Sequence, residues 1–179
     1  MQIRTDRLLI RPIEAADWPA IRRIWISFST SPFAQYDMPH STDPDDVRPR
    51  IARWAQATAA GTDHLFFAVC LEEAVIGYIA CNRREASHEL GYCFHATVHG
   101  KGYAGEAHRA LFPGLRSLGI TQLTAGTALN NTPSVKLLTS LGFRLTGTEQ
   151  VSFYKDAQGR DIVFEGCLFE LQLTGGTSA

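Results

Sequence analysis

The 179-residue sequence has no long apolar run, no paired cysteine spacing and no block of like charge. Each absence removes a class of function. Without an uninterrupted apolar stretch of about 20 residues, no segment reads as a membrane-spanning helix. The first residues, MQIRTDRLLIRP, lack the apolar core of a secretory signal, so the expectation is a reduced, cytoplasmic protein. Four cysteines, Cys70, Cys81, Cys93 and Cys167, stand singly within apolar runs. That spacing excludes a CxxC redox pair or a Cys/His metal cage and marks them as small buried hydrophobes. A formal net charge of −1 gives no global pull toward nucleic acid or acidic membranes. One absence is local: no Asp or Glu occurs between Glu106 and Glu149.

What remains is an ordinary globular composition, 45% hydrophobic and 20% charged, in a chain long enough for one domain with a real core. No repeat, low-complexity block or linker divides it. Residues 1–173 are therefore read as one domain and 174–179 as a frayed polar tail. Residues 6–12 form a first strand stopped by Pro12. Asp17 caps a helix in which Trp18, Ile21, Ile24 and Trp25 recur at helical spacing. After a polar and aromatic stretch, 27–40, read as loop or broken helix, Asp43 and Pro44 open a second helix. Val47, Ile51 and Trp54 mark its buried face, and Gly61 ends it. Residues 64–71 and 74–81 make a hairpin, and 89–94 a third consecutive strand. A helix at 106–118, a strand at 120–127, a helix opened by Asn131 and closed by Gly142, and a final hairpin around Gly159 complete the order.

The organising stretch runs from Ser87 to Ala107. Leu90, Tyr92 and Phe94 read as strand; Gly100, Lys101 and Gly102 break it; a run of helix formers follows from Glu106. Strand, glycine loop and helix start together make an anion site, because the first N–H groups of a helix lack internal partners. Glycines let a diphosphate approach the backbone without meeting a Cβ. The ionised side chains between Ala107 and Thr148 are Arg109, Arg116, Lys136 and Arg144, all positive, which favours an anionic ligand. Gly100-x-Gly102-x-x-Gly105 also fits the dinucleotide fingerprint. That fingerprint needs an acidic residue about 20 residues further on, and the acid-free interval denies it.

The order of elements resembles the GNAT superfamily of acetyl-CoA-dependent N-acetyltransferases. His99-Gly100-Lys101-Gly102-Tyr103-Ala104 is similar to its pyrophosphate loop, usually Gln/Arg-x-x-Gly-x-Gly/Ala. Asn131-x-x-Ser134-x-x-Leu137, ending in Leu141-Gly142-Phe143, is similar to its second motif. Thr5 to Pro12 and Glu89-Leu90-Gly91-Tyr92 resemble the ribosomal-protein N-terminal acetyltransferase (RimJ/RimL-like) branch. The resemblance implies an α+β fold: a bent, mostly antiparallel sheet splayed between its fourth and fifth strands, flanked by about four helices. It implies direct transfer of acetyl from acetyl-CoA to a primary amine, on a protein N-terminus or a small molecule, within a ternary complex.

By the same resemblance His99, Gly100, Lys101, Gly102, Tyr103, Ala104 and Gly105 surround the diphosphate. Tyr92, Cys93 and Phe94 line the pantetheine arm as an added strand would, and Asn131 and Ser134 lie by the arm and thiol. Glu89 is the candidate general base; a charge-balancing role is the plain alternative. His88 points to the opposite face, so only one of the two lines a cleft. His95 and His99 are further titratable candidates. Leu138 stands where many relatives carry the tyrosine that protonates the leaving thiolate, so Ser134, a bound water or departure of the free thiolate must serve instead. Residues 28–40 and 151–164, with Tyr36, Asp37, Phe153 and Tyr154, are candidates for the acceptor pocket. A non-catalytic acyl-CoA sensor on the same fold is the alternative function, and the long final strand leaves a homodimer open.

Overall fold

A computed structural model describes residues 1–61 and 63–173; the expected tail, 174–179, lies outside them. Eight strands form one sheet in the order β1-β2-β3-β4-β5-β6-β8-β7. In chain order they are β1 Ile3–Arg4, β2 Leu8–Pro12, α1 Trp18–Ser29, α2 Pro44–Ala60, β3 His64–Leu71, β4 Ala74–Arg83, β5 His88–Phe94, α3 Tyr103–Ser117, β6 Gln122–Ala128, α4 Thr132–Ser140, β7 Arg144–Lys155 and β8 Asp161–Gln172. The fold is the expected mixed α/β one, with a short β1 added at the start. The expected splay is present: β5 pairs with β4 from His88 to Phe94, yet pairs in parallel with β6 only at His88 and Glu89.

The run HLFFAVCL in β3 is apolar throughout because both of its faces are covered. Leu65, Phe67 and Val69 join one core with α3 and α4, whereas Phe66, Ala68 and Cys70 join a second with α1 and α2. In the first core Leu111, Leu115, Leu123 and Leu138 are fully buried. The second centres on Trp25, whose Nε1–H donates to the Tyr78 hydroxyl at 3.0 Å, with Trp54 stacked on Phe66 at 4.3 Å. Asp17 departs from its expected role. Its side chain makes no cap bond to α1; its carboxylate takes both Arg11 Nη atoms, at 2.8 and 2.7 Å, and the Glu14 N–H at 2.8 Å. Burial makes the two-pronged pair the better use of that charge. All four cysteines are free, three of them buried, and no described helix is long and apolar enough to cross a membrane.

Candidate active site

The parting of β5 from β6 opens a cleft of about 1210 Å³. Pairing phase decides what faces it. The His95 N–H donates to the Ile76 carbonyl at 2.9 Å, and antiparallel alternation then aims the main-chain groups of Glu89, Gly91 and Cys93 at β4. Those of Leu90, Tyr92 and Phe94 point into the split. The Phe94 carbonyl already takes a bond from His99 Nε2 at 2.8 Å. The Phe94 ring in turn lies across Gly77, where a Cβ would sit 2.3 Å from it.

At one end of the cleft the chain turns through Gly100 (φ 74°) and Gly102 (φ 80°) into α3. The helix begins at Tyr103, three residues before the expected Glu106, because left-handed Gly102 is its N-cap. Gly102 offers no capping side chain, and the helical ladder starts with the Glu106 N–H on the Gly102 carbonyl at 3.1 Å. The N–H groups of Tyr103, Ala104 and Gly105 precede that bond and are left for an outside acceptor. A Cβ at Gly100 would meet nothing within 4 Å. These features fit a diphosphate.

The sequence reading missed a clamp on this loop. Arg7 Nε donates to Glu106 Oε2 at 2.7 Å, Arg7 Nη1 donates to the Lys101 carbonyl at 3.1 Å, and the guanidinium lies 4.5 Å from the Tyr103 ring centre. Thr5 Oγ1 donates to Glu106 Oε1 at 2.5 Å. Thr5 and Arg7 together hold the Glu106 carboxyl below the usual carboxylate range. Thr5 and Arg7 stand in the block that resembles the family, but their partner Glu106 lies about a hundred residues away. The Lys101 carbonyl takes the Arg7 bond and the residue does not line the cleft, whereas the other expected cofactor residues do.

Midway along the cleft the Tyr92 hydroxyl and Ser134 Oγ share a hydrogen bond of 2.6 Å. Burial pushes the Tyr92 phenol up to about 12, with the Ser134 bond opposing the shift. The Tyr92 ring meets the His108 ring edge-on at 4.9 Å. Ser134 is positioned by α4, whose N-cap Asn131 accepts from the Ser134 N–H at 3.4 Å. Leu138 is wholly buried in the first core and outside the cleft. The tyrosine hydroxyl in the cleft beside Ser134 comes from β5, and Leu138 on α4 offers none.

Glu89 lines the cleft and His88 does not. Arg84 holds it through Nε at 2.7 Å and a second, closer contact from Nη2, both on Oε2. His95 caps the short turn at Ala96–Val98 instead of entering the cleft. At the far end stand Tyr36, Asp37 and Phe153, as expected. Tyr154 is instead turned away, its hydroxyl donating to the Ala34 carbonyl at 3.2 Å. Protein crowding raises the Asp37 carboxyl, with the Met38 N–H and His40 opposing, although the residue as a whole keeps solvent contact. Among the described residues no group of His, Cys, Asp and Glu could hold a metal ion.

Residues 7–144 match the acetyltransferase (GNAT) domain family. The chain is 29% identical over 161 residues to the uncharacterized N-acetyltransferase p20 of Bacillus licheniformis, covering 87% of this chain and 88% of that one. Its fold is similar to that of yncA of Salmonella typhimurium, a putative acetyltransferase solved with acetyl-CoA (23% identity, TM-score 0.70, 97% and 98% coverage). It is also similar to a Salmonella typhimurium acetyltransferase that modifies the N-terminal serine of a 50S ribosomal subunit protein (16% identity, TM-score 0.80, 96% and 99% coverage). With that match over residues 7–144 and the split sheet described above, the chain belongs to the GNAT N-acetyltransferases, which use acetyl-CoA.

Proposed function

We propose that this chain acetylates a primary amine directly, with donor and acceptor held together in the one cleft. The observation that carries the reading is that the uncapped start of α3, the Tyr92–Ser134 pair and Glu89 line a single continuous opening. Acetyl-CoA supplies an acetyl thioester: an N–C bond forms as the C–S bond breaks, and the electron pair leaves on sulfur.

The chain's own groups divide the remaining work. The N–H groups of Tyr103, Ala104 and Gly105 hold the diphosphate, with Gly100 and Gly102 giving the backbone room. The main-chain groups of Tyr92 and Phe94 that face the split order the arm and stabilise negative charge on the acyl oxygen. Glu89 takes the proton from the arriving ammonium, directly or through water, while Arg84 fixes its carboxylate by Oε2. Ser134 delivers a proton to the departing sulfur, Tyr92 replaces it through their shared hydrogen bond, and the second proton shed by the acylated nitrogen returns to Tyr92 by way of water. The phenol, held near 12, keeps its proton at neutral pH and is a reserve rather than a strong acid. The acceptor is a primary amine, on a protein N-terminus or a small molecule.

The test is release of free thiol from acetyl-CoA over a panel of primary amines, beside direct measurement of acetyl-CoA binding. Glu89→Gln is expected to lower kcat by about a hundredfold, with acetyl-CoA affinity unchanged. Binding without acetylation of any amine would replace this reading with the non-catalytic sensor.

A further inference from the structure

The acceptor end of the cleft differs sharply in chemistry from the cofactor end. Phe28, Phe33, Tyr36, Met38, Phe153 and Phe164 line it. Tyr36 and Phe164 meet edge-on with ring centres 5.3 Å apart, and Phe153 lies 5.7 Å from Phe164. The Tyr154 bond to the Ala34 carbonyl ties the segment after α1 onto the β7–β8 hairpin. The rings are therefore a wall built from two distant parts of the chain. Four carboxylates, Asp37, Glu89, Glu149 and Glu170, line the same cleft. No arginine lines it among the described residues, and its one lysine, Lys136, stands on α4 with Ser134.

Resting on the acetyltransferase reading above, we propose that the acceptor is a small primary amine carried on an aromatic or bulky apolar body, of the arylalkylamine class. The aromatic wall receives the body. Apolar area of that size contributes about 1.5–3 kcal/mol when a side-chain-sized group is buried, or about ten- to a hundredfold in affinity. Carboxylates along a cleft that no arginine lines, with Glu89 held from outside it by Arg84, attract the ammonium, and aromatic faces add a cation–π term. An extended polypeptide would instead seek a row of main-chain partners. Around this mouth the structure presents mostly rings.

The experiment compares kcat/KM for 2-phenylethylamine and tryptamine with that for butylamine, spermidine and short peptides beginning in Ser or Ala, using the full chain and acetyl-CoA. The aromatic amines are expected to exceed butylamine by about tenfold or more. Phe153→Ala, at an exposed position that the fold does not depend on, is expected to raise KM for the aromatic amines by about tenfold. It should leave KM for acetyl-CoA within about twofold. Asp37→Asn should likewise raise the amine KM alone. Fastest turnover of the peptides, or equal turnover of butylamine and 2-phenylethylamine, overturns the acceptor class and leaves the acetyltransferase reading standing. Acetyl-CoA binding with no amine acetylated overturns both.

Discussion

At the residue scale two groups do what their neighbours dictate. In the proposed mechanism Ser134 is the proton donor, and the buried phenol it hydrogen-bonds at 2.6 Å is the group that would restore its proton. Tyr92→Phe keeps the ring against His108 and removes only the hydroxyl. It is expected to lower kcat about tenfold to a hundredfold while acetyl-CoA affinity, read by calorimetry, stays constant. Equal loss of kcat and affinity would instead mean a merely structural hydroxyl. His108 sits beneath, wholly buried. Its Nδ1–H donates to the Ala104 carbonyl at 2.7 Å and its Nε2 has no partner. Burial pushes it down to about 4, so between pH 6.5 and 4 the unfolded chain binds a proton that the folded chain refuses. Stability is therefore lost as pH falls through that window, by up to roughly 3 kcal/mol. Urea unfolding of wild type and His108→Leu at pH 7 and pH 4.5 checks this: the variant should lose less on acidification.

At the element scale the start of α3 is the critical piece. Its three open N–H groups are useful only if the turn before them is held, and Arg7 holds it from β2's approach by bonding Glu106 and the Lys101 carbonyl. Arg7→Ala should weaken acetyl-CoA binding about tenfold with the fold retained, because an exposed ion pair adds little stability. Gly102→Glu puts a side chain and a negative charge into a left-handed position and should abolish measurable binding. Unchanged affinity in both variants, by isothermal titration, would remove this loop from the site. The loop itself was legible, because glycines at 100 and 102 announce a turn that other residues resist. The helix start was misplaced by three residues. Tyr103, Ala104 and Gly105 carry no apolar periodicity, and only the geometry of Gly102 reveals them as the first turn.

At the scale of the whole molecule one sheet separates two cores and joins them. β3 and β4 feed side chains to both, so neither core can melt while the other persists. Ile51→Ala and Leu111→Ala, one in each core and each fully buried, should cost about 2–5 kcal/mol apiece. Each should lower the midpoint of a single thermal transition; two resolved transitions in calorimetry would show independent cores. The same sheet makes the cleft, since β5 and β6 pair for two residues and then part.

The sequence by itself determined the order of elements, the glycine turn, Asn131 as a cap and the strand faces of Glu89 and Tyr92. Those properties depend on neighbours within a few positions and on the two periodicities of the backbone. Only the tertiary structure decided that Tyr92 would meet Ser134, that Arg7 would clamp Glu106, that Arg84 would hold Glu89 and that Tyr154 would turn from the cleft to Ala34. Apart from the Arg84–Glu89 pair, these contacts join residues 42 to 120 positions apart. No local pattern encodes them; they follow from which side chains the splayed sheet brings within reach once both cores have formed.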